Sequence, residues 1–159
     1  MTSKTKNNLN AAFAGESMAY QKYMYFGKLA QKKGNAEVAE LFFSTAQHEI
    51  GHAEGHLRFL YPEELLTVED LLKIAMEGET HEYTEMYPGF EKEAIKENLE
   101  FEAAEFRDQI SESKEHAEWF QTKLDKISKV FKGLALVEKA HAKKYEDALT
   151  QVQNQARNK

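Results

Sequence analysis

Apolar residues return every third or fourth position through almost the whole of this chain, and that periodicity restricts it to amphipathic helices. Only two prolines and eight glycines interrupt 159 residues, so few points can stop a helix once it has begun. No segment shows the alternation of a strand. A first helix is expected over 6–33, closed at Lys33-Gly34, because glycine readily takes the left-handed conformation that ends a helix. A second is expected over 35–60, with Asn35 as its cap and Tyr61-Pro62 as its stop. Thr67, with Asp70 three residues later, opens a third over 68–97, which Pro88-Gly89 should kink or break. A fourth is expected from Asn98 to 125 and a fifth over 127–153, with the polar tail QVQNQARNK fraying.

The chain is therefore read as a single all-α domain spanning 1–159. Its 42% hydrophobic and 30% charged residues suit a globular core and argue against disorder. A net charge of −6 with no basic cluster excludes a nucleic-acid grip. No apolar run approaches the ~18 residues needed to span a membrane. The opening MTSKTKNNLN lacks the apolar core of a secretion signal, so a cytoplasmic location is expected. The absence of cysteine excludes disulfides, thiolate zinc sites and a rubredoxin-type iron centre within these residues.

A weak repeat runs through the chain. AGESMAYQKYMYFGK resembles EGETHEYTEMYPGFEK, which puts Glu79 where Glu16 stands 63 residues earlier. AEVAELFFSTAQHEIGHAE resembles EFEAAEFRDQISESKEHAE in the same order. Two similar helical hairpins imply a bundle with approximate two-fold symmetry.

Acidic residues and histidines recur at helical spacing on several of these helices. Residues three apart share a helix face, so Glu49 and His52 can hold one ion together. The same spacing returns at Glu138 and His141, while Glu79 with Glu82, and Glu16, offer carboxylates on two further helices. Small and apolar neighbours suggest that Glu16 and Glu79 point inward, and buried carboxylates facing one another need cations. Two Glu-x-x-His pairs with glutamates from two other helices form the ligand set of carboxylate di-iron bundles. Oxygen-rich ligation with one imidazole per metal suits two iron ions, with manganese or zinc as substitutes. The stretch HEIGH also fits the zinc-protease pattern, with His48 and His52 as ligands and Glu49 as base. Against that reading, Arg58 occupies the place of a third histidine, and VEKAH has valine where HEIGH has His48. His48 and His56 are read as solvent-facing or as lying just behind the ligands, and His81 as a surface residue.

On AFAGES (12–17), STAQHEIGHAEGHL (44–57), EGETHEYTEMYPGF (77–90) and ALVEKAHAKKY (135–145), the chain resembles the di-iron domain of a rubrerythrin, within the ferritin-like superfamily. The resemblance implies a four-helix bundle, here with an additional helix, and the reduction of hydrogen peroxide to water. It implies iron ligation by Glu16, Glu49, His52, Glu79, Glu82, Glu138 and His141, with Tyr23 and Tyr87 close enough to hydrogen-bond ligand carboxylates. A ferroxidase or O2-reducing oxidase, and an iron-storage protein without turnover, would use the same ligands. Rubrerythrins commonly carry a cysteine-ligated rubredoxin domain. With no cysteine here, electrons are expected from an external donor, a rubredoxin-like protein or a flavoprotein reductase.

The spacing of the last ligand pair departs from the repeat. Glu16 to Glu49 is 33 residues but Glu79 to Glu138 is 59, an excess of about one helix. In the repeat His116 matches His52, yet Ser113 stands at the glutamate position. Either the fifth helix supplies Glu138 and His141, or the fourth supplies Glu112, Glu115 and His116. VEKAHAKKY favours the fifth, and a homodimer that exchanges a helix would accommodate the insertion.

Overall fold

Two left-handed residues, Gly34 at φ 78° and Asn98 at φ 59°, turn the chain back on itself and define two helical hairpins. The computed structural model describes residues 3–157, and every regular element among them is helical. The hairpins belong to two separate compact units, Met1–Leu66 and Thr67–Lys159.

The first unit consists of α1 (Ser3–Lys32) and α2 (Ala36–Leu60), followed by a 3-10 turn over Glu63–Leu65. As expected, Asn35 caps α2, its side-chain oxygen accepting the Val38 N–H at 3.0 Å. The seam between the helices is made of small residues: Gly27, Ala30, Ala39, Ala46 and Ala53 are all buried. Small side chains let the backbones approach closely, and Gly27 shows how closely. A Cβ there would collide with the Phe43 ring. Gly27→Ala gains up to ~1 kcal/mol of helix propensity but overpacks the seam, which typically costs ~1–3 kcal/mol. The expected result is a melting temperature lower by a few degrees. An unchanged or raised value would mean that Phe43 simply swings aside.

The second unit consists of α3 (Val68–His81), a π-helical turn over Glu82–Met86, α4 (Tyr87–Lys96) and α5 (Glu100–Arg157). Thr67 and Asp70 form the expected capping box: the Thr67 N–H reaches Asp70 at 2.9 Å and the Asp70 N–H reaches Thr67 Oγ1 at 3.2 Å. Pro88 neither breaks the helix nor leaves it regular. It has no N–H to give, and in a regular helix its ring would strike the carbonyl four residues back. The chain widens by one residue just before it, with the Tyr87 N–H bonding to the Glu82 carbonyl five residues earlier.

That extra residue accounts for the sequence repeat. Glu16 and Glu79 are 63 apart, but beyond the π turn equivalent residues are 64 apart. Buried Ala30, Ala39 and Ala53 recur as buried Ala94, Ala103 and Ala117. The Tyr23–Phe42 and Phe26–Phe42 ring contacts recur as Tyr87–Phe106 and Phe90–Phe106, with centroids 5.6–6.3 Å apart.

One expected boundary is absent. The fourth and fifth helices are a single helix of 58 residues, beginning at Glu100 because Asn98 is left-handed. The stretch WFQTKLDKISKVF contains neither glycine nor proline and is rich in strong helix formers, so nothing halts propagation near residue 126. The tail expected to fray is helical as far as Arg157, and the last two residues lie outside those described.

Candidate metal centre

On α2, Glu49 lies three residues after Ala46 and four before Ala53, both buried against α1, so the seam itself carries the Glu49 side chain inward. There it meets Glu16 of α1. His52, one turn further on, places Nδ1 3.1 Å from Glu49 Oε2 and 3.9 Å from Glu16 Oε2. One donor atom from each of Glu16, Glu49 and His52 lies within 4.8 Å of the others, the one such group among the described residues. The Glu49 side chain is 16% exposed, Glu16 30% and His52 61%, so the cluster is closed on the helix side and open on the other. A hydrogen bond with Glu16, reinforced by His52, holds the Glu49 carboxyl below the usual glutamate range.

The second unit builds the corresponding place from different residues. Ser113 stands 64 residues after Glu49 on the same inward seam, 3% exposed, and its hydroxyl donates to Glu82 Oε2 at 2.9 Å. His116 lies 3.3 Å from Glu79 Oε2, as His52 approaches Glu16. Tyr87 adjoins both acids. Burial, followed by the Glu82 and Glu79 carboxylates, pushes its phenol up, so the hydroxyl stays protonated at neutral pH. Neither the Tyr87 nor the Tyr23 hydroxyl hydrogen-bonds a ligand carboxylate in this structure; Tyr23 packs on Phe42.

The structure therefore gathers Glu16, Glu49 and His52 at one place and Glu79 and Glu82 at another. Of the fourth-helix set, His116 faces Glu79, while Glu112 and Glu115 are exposed. Glu138 and His141 stand apart from both acids of their own unit. They lie 22 and 25 residues beyond His116 on one unbroken helix, ~33–37 Å along its axis. Both are exposed.

Ser113 as partner of Glu82 and the π turn were not anticipated from sequence. The change of repeat from 63 to 64 was the available signal for both. His48 is exposed and outside the cluster, and Glu49 sits among the donors, so the two-histidine zinc arrangement does not form. His81 pairs with Glu85 at the surface.

Two carboxylates and an imidazole drawn together from facing helices are a donor set for Fe(II) or Mn(II), whose charge removes the repulsion between the acids. Residues of this kind on helical hairpins define a carboxylate-ligated metal protein of the ferritin-like type. The rubrerythrin family model matches residues 7–124, a span that ends before Glu138. Rubrerythrin-1 of Clostridium acetobutylicum is 34% identical over 145 residues, covering 80% of this chain and 74% of that protein. Rubrerythrin of Nitratidesulfovibrio vulgaris is 32% identical over 157 residues, covering 91% and 69%. A solved structure of fully reduced, all-ferrous nigerythrin is 27% identical, covers 80% of this chain and 69% of its own, and gives a TM-score of 0.40. The chain belongs to the rubrerythrin family. That membership makes it a di-iron redox protein of oxidative-stress defence. No helix among the described residues is long and apolar enough to cross a membrane.

Proposed function

We propose that this protein is a non-haem di-iron peroxidase that reduces hydrogen peroxide to water. The observation that carries the reading is the convergence of Glu16, Glu49 and His52 in a chain of the rubrerythrin family. Glu79, Glu82, Glu138 and His141 complete the proposed ligand set. Iron held there would supply electrons at adjacent metal ions with open positions. The chain's own residues do the rest. The glutamates keep the site anionic enough to stabilise oxidised metal, and His52, braced by Glu49, is held in one orientation. Reduction of one peroxide to two waters consumes two electrons and two protons. The proposed electron donor is a rubredoxin-like protein or a flavoprotein reductase, since no cysteine-ligated centre can be built from these 159 residues.

The test is kinetic. Apo-protein loaded anaerobically with Fe(II) is mixed in a stopped-flow spectrometer with H2O2 or with O2. The expected result is two irons per site, oxidised about tenfold or more faster by peroxide. Faster oxidation by O2 would move the reading to a ferroxidase or oxidase. Iron bound without turnover would make it a storage protein.

A further inference from the structure

A short hydroxyl inside a helix ordinarily turns back to a carbonyl three or four residues earlier on its own helix. Ser44 and Thr45 both donate to the Leu41 carbonyl, Thr84 to Thr80 and Thr150 to Glu146, at 2.6–3.1 Å. Ser113 does not. It reaches across the seam and donates to Glu82 Oε2 at 2.9 Å. It is also the one buried polar side chain among the described residues, so this hydroxyl is shielded from water. The repeat shows what the bond replaces. Glu82 lies 63 residues after Ala19, ahead of the π turn, and Ser113 lies 64 after Glu49, beyond it. At one level of the two hairpins the acid has therefore changed sides. The first unit carries Ala19 on its first arm and Glu49 on its second; the second unit carries Glu82 on its first and Ser113 on its second. Each keeps one carboxylate and one small residue there, but the small residues differ in chemistry. Alanine offers Glu49 no bond, and Glu49 stands instead among Glu16 and His52. Serine offers Glu82 a donor.

We propose that Ser113 is the positioning residue of Glu82: its hydroxyl engages Oε2 and leaves Oε1 as the oxygen offered to a metal ion. This rests on the di-iron reading above, in which Glu79 and Glu82 are ligands. A carboxylate without such a partner is free to turn and grip an ion through both oxygens, or to swing toward solvent. One whose Oε2 accepts a charge-assisted bond from a buried hydroxyl is held in one orientation and presents a single oxygen. Glu82 has particular need of that hold. Its own carbonyl opens the π turn, bonded to the Tyr87 N–H five residues on, so the backbone beneath it is not in regular helical register. Its fellow acid Glu79 is approached in the same way by His116, at 3.3 Å. Serine also does this without adding charge. A glutamate at 113 would set a third acid beside the first two, and an alanine would leave Oε2 unheld. The two hairpins therefore fix their acids by different means, the first by donors within the cluster and the second by a hydroxyl behind it.

The experiment is a double-mutant cycle on the full-length protein. Mn(II) affinity is read from the EPR signal of the free ion, and ligand geometry from the visible absorption of bound Co(II). Ser113→Ala should bind Mn(II) about tenfold more weakly, the usual scale for removing a hydrogen bond behind a ligand, and should alter the Co(II) spectrum. In a Glu82→Ala background the same substitution should change neither the residual Mn(II) binding nor the spectrum, because the hydroxyl then has no carboxylate to hold. A serine that only supports the seam gives another pattern. Ser113→Ala would then lower the apo melting temperature and leave the Co(II) spectrum as it is, or weaken Mn(II) equally with and without Glu82. Either result would overturn the proposal, as would an unchanged or tighter Mn(II) affinity. Failure of the underlying reading looks different. Wild-type protein that takes up no pair of Mn(II) or Co(II) ions refutes the di-iron centre itself. Wild-type protein that takes up the pair, with Ser113→Ala indistinguishable from it, refutes only the role of Ser113.

Discussion

Fe(II) added anaerobically to the apo-protein is expected to raise its melting temperature by about 5–10 °C, and Glu49→Ala is expected to abolish that rise. Iron at a hundred times its dissociation constant stabilises the native state by ~2.7 kcal/mol, and in a domain of this size each kcal/mol moves the midpoint by ~2–4 °C. Glu49 is the choice because it is the least exposed of the three donors and lies 3.1 Å from His52 Nδ1. Without it, Glu16 and His52 face each other at 3.9 Å across two helices, with nothing to close a chelate. Glu54→Ala, one turn further along α2 and exposed, should leave the increment intact. Acid should act in the same direction as the substitution. The folded-state pKa of Glu49 lies below its unfolded value, so its contribution is present at neutral pH and is lost as pH falls through the folded pKa. Proton and metal compete for the same carboxylate, so iron affinity also falls as pH falls. Differential scanning calorimetry with Fe(II) and with chelator checks this. Identical wild-type curves in the two conditions would remove the metal-linked reading of the cluster.

The helices were legible in the sequence wherever local chemistry decides them. Asn35, Gly34 and the Thr67–Asp70 box act within one turn of chain, and each does in the structure what its residue type implies. The cluster of Glu16, Glu49 and His52 was legible for the same reason: one hairpin with an alanine seam fixes which faces meet. Two features were not. The π turn is a response to Pro88 spread over the five preceding residues, and no residue in EYTEM announces it. Its trace is the single-residue change in the repeat, which also identifies Ser113, and not Glu112, as the counterpart of Glu49. The continuity of α5 was missed because two ligand-like motifs on one stretch suggested two helices. A helix ends only where something ends it, and near residue 126 nothing does. The family resemblance in VEKAHAKKY carried a ligand pair onto residues that the fold holds far from the acids of their own unit.

Ser113→Glu should convert the second unit into a close copy of the first, and it is expected to be the most disruptive single substitution at the site in the absence of metal. Ser113 is buried on the seam and gives its only hydroxyl to Glu82. A carboxylate in its place removes that donor, adds volume where α3 and α5 meet, and sets a third acid beside Glu79 and Glu82. Like charges at such separations resist ionising together, and an uncompensated acid on a buried seam costs several kcal/mol. A loss of ~3 kcal/mol would lower the apo melting temperature by about 6–12 °C. Metal should reverse the effect. With Glu79, Glu82 and His116 the new carboxylate completes four donors within one unit, so Fe(II) or Mn(II) should restore most of the loss and raise the metal bound per chain. Ser113→Ala separates the two contributions: it forfeits one hydrogen bond, about 1 kcal/mol, and should gain no metal. A destabilised Ser113→Glu that metal fails to rescue would mean that the seam at α5 cannot present a ligand at all. Rescue with extra metal would identify the serine as what keeps this unit from closing a site of its own.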